Sequence, residues 1–146
     1  MALILEFPKG TEMKRGRILP RDLFLFLLDF EVKKAKRYQE YLGILNLKLS
    51  PLPGHEKDGD LATCYQTLSS FLMESFRESD IFGSLGVDKL AILLPYSDSF
   101  EIGHARSRIE TDLKNYEFKK KGYEILIDQI CFPMDGTDTA DLVGKL

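Results

Sequence analysis

The sequence predicts an α+β fold, with helices laid on a mostly antiparallel central sheet. Three observations predict it. Apolar residues recur at three- and four-residue steps in three separate stretches, with strand-like apolar runs between them. Two of those runs are divided only by a tight turn, the mark of a hairpin. The resulting order is helix, strand, helix, hairpin, helix, strand, and no Gly-rich turn joins the first strand to the following helix as a dinucleotide-binding fold requires.

Met1-Ala2-Leu3-Ile4-Leu5-Glu6-Phe7-Pro8 reads as a short strand ended by Pro8, followed by a polar, Gly-bearing loop, so residues 1–17 form an N-terminal strand and loop. Pro20 suits the first turn of a helix, where its missing N–H costs nothing. From there to about residue 41, Leu23, Phe24, Leu27, Leu28, Phe30, Val32, Ala35 and Tyr38 mark an inward stripe. Residues 42–49 read as a strand, and 50–59, with two prolines and two glycines, as a loop. Asp60 is placed to cap a helix over about 60–79, with Leu61, Cys64, Tyr65, Leu68, Phe71, Leu72 and Phe76 inward. Residues 81–85 and 89–94 form the hairpin around Gly86-Val87-Asp88. A helix over about 97–116 carries Ile102, Ala105, Ile109 and Leu113, and 123–132 is a last strand stopped by Pro133. Asp135-Gly136 makes a turn, and Thr139 or Asp141 starts a final short helix. The aromatic residues Phe24, Phe26, Phe30, Phe71 and Phe76 fit helix core faces better than a base-stacking platform.

At 146 residues the chain reads as one domain, able to bury about two-thirds of its unfolded surface. A net charge of -3 gives no electrostatic case for nucleic acid, and Lys33, Lys34, Lys36 and Arg37 share their helix with Asp29, Glu31 and Glu40. Cys64, Cys131, His55 and His104 lack metal-ligand spacing and no disulfide framework is suggested, so no metal site and a reducing cytoplasm are expected. No apolar run reaches the roughly 20 residues of a membrane span.

The most informative stretch is Arg77-Glu78-Ser79-Asp80 followed by the hairpin through Gly86-Val87-Asp88-Lys89-Leu90. It resembles the signature hairpin of GGDEF domains, the diguanylate cyclases that make cyclic di-GMP, in which an Arg-x-x-Asp pair precedes the Gly-Gly-Asp/Glu-Glu-Phe pentapeptide. Arg21-Asp22-Leu23-Phe24 is similar to the start of that family's first helix, Ala35-Lys36-Arg37-Tyr38 to its Ala-x-Arg, and Phe132-Pro133-Met134-Asp135-Gly136 to its Tyr-Pro-x-Asp-Gly. The resemblance implies a palm-like nucleotide-cyclase fold over residues 1–146, with the family's final helix truncated.

It also implies a lost cyclase. The family's strand acid that binds metal falls on Asn46, and Lys48 adds a cation two residues on. In the pentapeptide, Gly86 and Asp88 keep their places, while Val87 stands for the second glycine and Lys89 for the acid. A branched Cβ obstructs close approach to phosphate, and a lysine would repel Mg²⁺ and cannot accept a proton while charged. The phosphate-facing lysine falls near Pro51, and Gly54-His55 with Gly59-Asp60 are similar to a displaced Gly-His-x-x-Gly-Asp; Asp60 is read as a helix cap rather than a guanine reader. The retained Arg-x-x-Asp is the family's inhibitory site for cyclic di-GMP. Arg77 and Asp80 fill it, Arg108 falls where a second arginine joins, and Arg106 and His104 are auxiliary candidates.

The functional expectation is a cytoplasmic, catalytically inactive GGDEF-like signalling domain of a larger bacterial regulator that senses cyclic di-GMP. It would need no cofactor and make no membrane contact. A ligand-free protein–protein interaction module of the same fold is the alternative. Protein partners, neighbouring domains and a homodimer are the other associations compatible with either reading.

Overall fold

The computed structural model describes residues 18–54 and 60–146. The strand expected over residues 1–7 and the residues His55 and Gly59 lie outside that range. In chain order the elements are β1 (Ile18–Leu19), α1 (Arg21–Tyr38), β2 (Leu42–Pro51), α2 (Leu61–Ser75), β3 (Ile81–Gly86), β4 (Lys89–Pro95), α3 (Ser99–Leu113), a 3-10 turn (Lys119–Lys121), β5 (Tyr123–Phe132) and α4 (Thr139–Val143). The sheet order is β1-β3-β4-β2-β5, antiparallel throughout except for the parallel β1–β3 pair. At two residues, β1 is too short to leave a periodic signal.

β2 sits between β4 and β5 and is buried along nearly its whole length, which is why it reads as a near-continuous apolar run. It extends to Pro51, two residues beyond the expected end. Past Leu49 its ladder partner is β5, and a residue lacking an N–H is tolerated at Pro51.

Alternation along the strands divides the core in two. Leu45, Leu47 and Leu49 of β2 face α2 and α3, packing with Leu68, Leu72, Ile102 and Ile109. Leu42 and Ile44 face the other way, against Phe24, Leu28, Val32 and Ala35 of α1 and Leu142 of α4. Close approach on both sides needs glycine. A Cβ on Gly43 would run into the side chain of Ile102, and one on Gly83 into the ring of Phe24.

Only one face of α1 meets the sheet. Leu23, Phe30 and Tyr38, expected inward, are exposed, and so is Phe26: Phe26 and Phe30 are 68% and 59% accessible. A helix laid on a sheet buries one stripe, and Phe24, Leu28, Val32 and Ala35 already fill it. The helix also stops earlier than expected, at Tyr38, because Gln39 turns left-handed at φ 54° and sends the Glu40 N–H back to the Ala35 carbonyl. No helix among the described residues is long and apolar enough to cross a membrane.

Candidate ligand-binding site

The site begins where α2 ends. Expected to continue to about residue 79, α2 stops at Ser75, because Phe76 is extended (φ -117°, ψ 161°) and its ring turns into the core, edge-on to Phe82 at 6.0 Å. Arg77-Glu78-Ser79-Asp80 is therefore a turn rather than the last helical turn. The Asp80 N–H donates to the Arg77 carbonyl at 3.1 Å, and the Arg77 N–H donates to Asp80 Oδ2 at 3.0 Å. This side-chain-to-backbone bond offers the chain an alternative to further helix. The guanidinium of Arg77 stands 3.7 Å from Asp80 Oδ1, with the arginine side chain 68% exposed and the aspartate side chain 1%.

Arg108 reaches the same place from α3. Its Nη2 donates to the Ser75 carbonyl at 3.4 Å, and its guanidinium lies 5.2 Å from the centre of the Phe76 ring. A cation beside the final carbonyls of a helix is favoured by the helix dipole. Arg77, Asp80 and Arg108 line one open depression of about 660 Å³, with Ser97, Glu101 and His104. The three residues expected to act together are thus brought together, with the imidazole of His104 at the edge, against the Phe100 ring at 4.5 Å. Arg106 is not among the lining residues and pairs with Glu110 at 2.7 Å. Glu101 and Ser97 had no spacing signal in the sequence. Their place follows from the register of α3, set by the Asp98 side chain accepting the Glu101 N–H at 2.9 Å.

The expected remnants of a catalytic centre gather at the other end of the hairpin, on the α1 side of the sheet. Gly86 pairs with Lys89 across a two-residue turn, Val87-Asp88, and a register irregularity lies between Ser84 and Gly86. Neither turn residue has a positive φ, so the turn is not a primed type, and the irregularity supplies the twist such a turn lacks. Val87 is exposed, and the Asp88 carbonyl accepts the Leu49 N–H at 2.8 Å.

On β2, Asn46 is buried opposite Ala91 and Asp128, while Lys48 stands directly opposite Lys89. Lys89 Nζ donates to the main-chain oxygen of Leu146 at 3.0 Å, and Asn46 Nδ2 approaches the same oxygen at 3.5 Å. The residues do not fit a divalent cation: the polar group central to the patch is a neutral amide, and two ammonium groups flank it. Among the described residues no group of three His, Cys, Asp or Glu could hold a metal. Asp128 was not singled out from the sequence, although its alternation within β5 puts it on the Asn46 face. A second hollow, about 980 Å³ and mostly apolar, opens beside this tip between Pro20, Arg21, Tyr65 and Val87. Asp60 occupies the N-cap position of α2, but its side chain makes no capping bond. Its backbone (φ -97°, ψ 13°) is not the extended one that aims a cap side chain at the helix N–H groups.

No family model matches the sequence, and no curated protein sequence matches it either. Solved structures do match the fold. A DGC protein from Thermotoga maritima superposes at a TM-score of 0.74 with 19% identity, over 91% of this chain and 95% of that one. The FimX GGDEF domain from Pseudomonas aeruginosa gives 0.74 at 16% identity, over 94% and 88%. The GGDEF domain of DgcB from Caulobacter crescentus, solved in complex with c-di-GMP, gives 0.58 at 10% identity, over 90% and 78%. Identities this low carry the fold alone, and on the fold they agree: this chain has the fold of GGDEF domains.

Proposed function

We propose that this chain is a catalytically inactive, cytoplasmic GGDEF-like signalling domain that binds cyclic di-GMP through Arg77, Asp80 and Arg108. The observation that carries the reading is the convergence of these three residues, from the β3 approach and from α3, on one open depression. An exposed arginine fork can bond a phosphate or the guanine edge in bidentate fashion and stack on a base, and a carboxylate accepts the guanine N1 and N2 protons. The Arg77 side chain lies mostly in solvent at the mouth of the depression, beside the Asp80 carboxylate. Binding would favour one arrangement of this domain relative to its neighbours and so carry a signal.

The inactive half of the proposal is supported at the hairpin tip. Lys89 stands where the resemblance calls for an acid, opposite a second lysine. Val87 places a branched side chain where phosphate would have to approach.

Calorimetric titration of cyclic di-GMP tests the binding reading, with Arg77→Ala and Arg108→Ala alongside. The expected result is micromolar binding, weakened about 10- to 100-fold by either substitution, as for loss of a charge-assisted hydrogen bond. Absence of heat and of thermal shift at about 100 μM ligand would overturn it. Turnover of GTP with Mg²⁺ to cyclic di-GMP would overturn inactivity. One observation favours a ligand-free interaction module instead: the Asp80 side chain is 1% exposed and already holds the turn. On that reading Arg77→Ala leaves partner binding intact and no nucleotide binds.

A further inference from the structure

From residue 23 to residue 30, α1 is apolar at every position except Asp29, yet the sheet covers only the stripe through Phe24 and Leu28. The opposite stripe, Leu23, Phe26 and Phe30, is spaced by three and four residues and lies in solvent, the two phenylalanines more than half accessible. Single apolar residues on a surface are ordinary, but a continuous stripe on a helix that is apolar all round signals a second covered face. Charge identifies what covers it. Asp22 lies at the amino end of this outer face, and Lys33 and Arg37 lie toward the carboxyl end. Asp22 and Lys33 are 11 residues apart, about three turns, so they share one flank of the stripe. When two identical helices pair antiparallel, like flanks face each other, which sets the aspartate of one copy against the lysine of the other twice over.

We propose that a second copy of this chain docks on α1, as an antiparallel, two-fold symmetric helix pair in which Phe26 of each copy packs against Phe30 of the other. The spacing suits the shallow crossing of helices that pack three-row ridges into four-row grooves. The Lys33 side chain, now held to Asp29 at 2.8 Å, is 74% exposed and has the reach to bridge to a partner's acid while its methylene stem covers Leu23. An 18-residue helix is about 27 Å long, so the pair buries near or under the roughly 1,000 Å² of a stable interface and the dimer is weak.

The test is sedimentation velocity of the chain without nucleotide, from about 5 to about 500 μM, a range suited to a small interface. The expected result is a weight-average coefficient rising with concentration from monomer toward dimer. Phe26→Glu, shown folded by circular dichroism, should abolish the rise. Asp22→Lys and Lys33→Glu should each shift association to at least about tenfold higher concentration, and the two together should restore it; tenfold corresponds to about 1.4 kcal/mol. A monomer at every concentration overturns the proposal and leaves the stripe to another protein or to the chain's own leading residues. So does a dimer indifferent to Phe26→Glu. Association lost with Phe26→Glu but unmoved by the charge exchange overturns the antiparallel pairing. Because no nucleotide is present, none of these outcomes depends on whether cyclic di-GMP binds.

Discussion

Asp80→Ala and Arg77→Ala touch the same pair yet should cost very different amounts. Asp80 is almost fully buried and its carboxylate accepts the Arg77 N–H at 3.0 Å, whereas the Arg77 side chain is mostly in solvent and 3.7 Å from its partner. Removing the aspartate deletes a buried charge-assisted bond, worth about 1.5–3 kcal/mol, and leaves the N–H without that acceptor. Removing the arginine side chain leaves the backbone bond intact and loses a screened ion pair of about 0–1 kcal/mol. The expected difference is about 2 kcal/mol, or a melting temperature lower by roughly 6–8 °C in the aspartate variant. Urea unfolding with linear extrapolation measures it directly, and an unchanged slope shows that the fold's exposed surface is unaltered. Asp80→Asn, which keeps one acceptor oxygen, should fall between. Equal costs, or a larger one for Arg77, would refute the assignment of Asp80 as the residue that closes the turn. The asymmetry also bears on ligand studies: loss of binding in Asp80→Ala mixes two causes, while Arg77→Ala reports on contact.

Phe24→Ala should destabilise by about 3–5 kcal/mol in the same assay, and Gly83→Ala by about 1–3, because the Phe24 ring occupies the space a Cβ would need; the double variant should lose less than the sum. Asp29 accepts bonds from Lys33 and from Thr139 of α4, and these hold its carboxyl below the usual aspartate range. A depressed folded value means that its contribution is present above the unfolded aspartate value near 3.9 and fades as pH falls through the lower folded one. Protection of the α4 amides, relative to their intrinsic exchange rate, should therefore fall over that acid window, and Asp29→Asn should flatten the response. Burial pushes both the Cys64 and Cys131 thiols up. Their alkylation at neutral pH should track global unfolding, and fast labelling of either in native protein would show that the core opens locally.

The hairpin, the last strand and the order of helices were legible because period-two and period-3.6 patterns there reflect burial on one side. β5 runs over the residues expected. Where the pattern misled, two sides were apolar: α1 gives no sign in sequence of which stripe the sheet covers, so Phe30 and Tyr38 looked as inward as Phe24. The end of α2 was misplaced because Phe76 fits a helical stripe equally well; what removes it is a ring contact with Phe82 that no local pattern encodes. At the depression, Arg77, Asp80 and Arg108 were grouped through motif spacing, while the places of Glu101 and Ser97 depend on how the start of α3 is set against β2 and β5. The engagement of Lys89 with Leu146 spans 57 residues and was invisible to any reading of neighbours.

The two ends of the hairpin are held apart by the strand between them. From Asp80 to Gly86 the strand advances six residues, about 20 Å at strand rise. Between them lie Phe82 and Gly83, locked under Phe76 and Phe24. Substitutions that far apart, sharing no partners, add rather than couple. A substitution at the Val87–Lys89 tip should therefore leave the stability contributed by the Arg77–Asp80 turn unchanged. The strand behaves as a spacer that insulates one end of the hairpin from changes at the other.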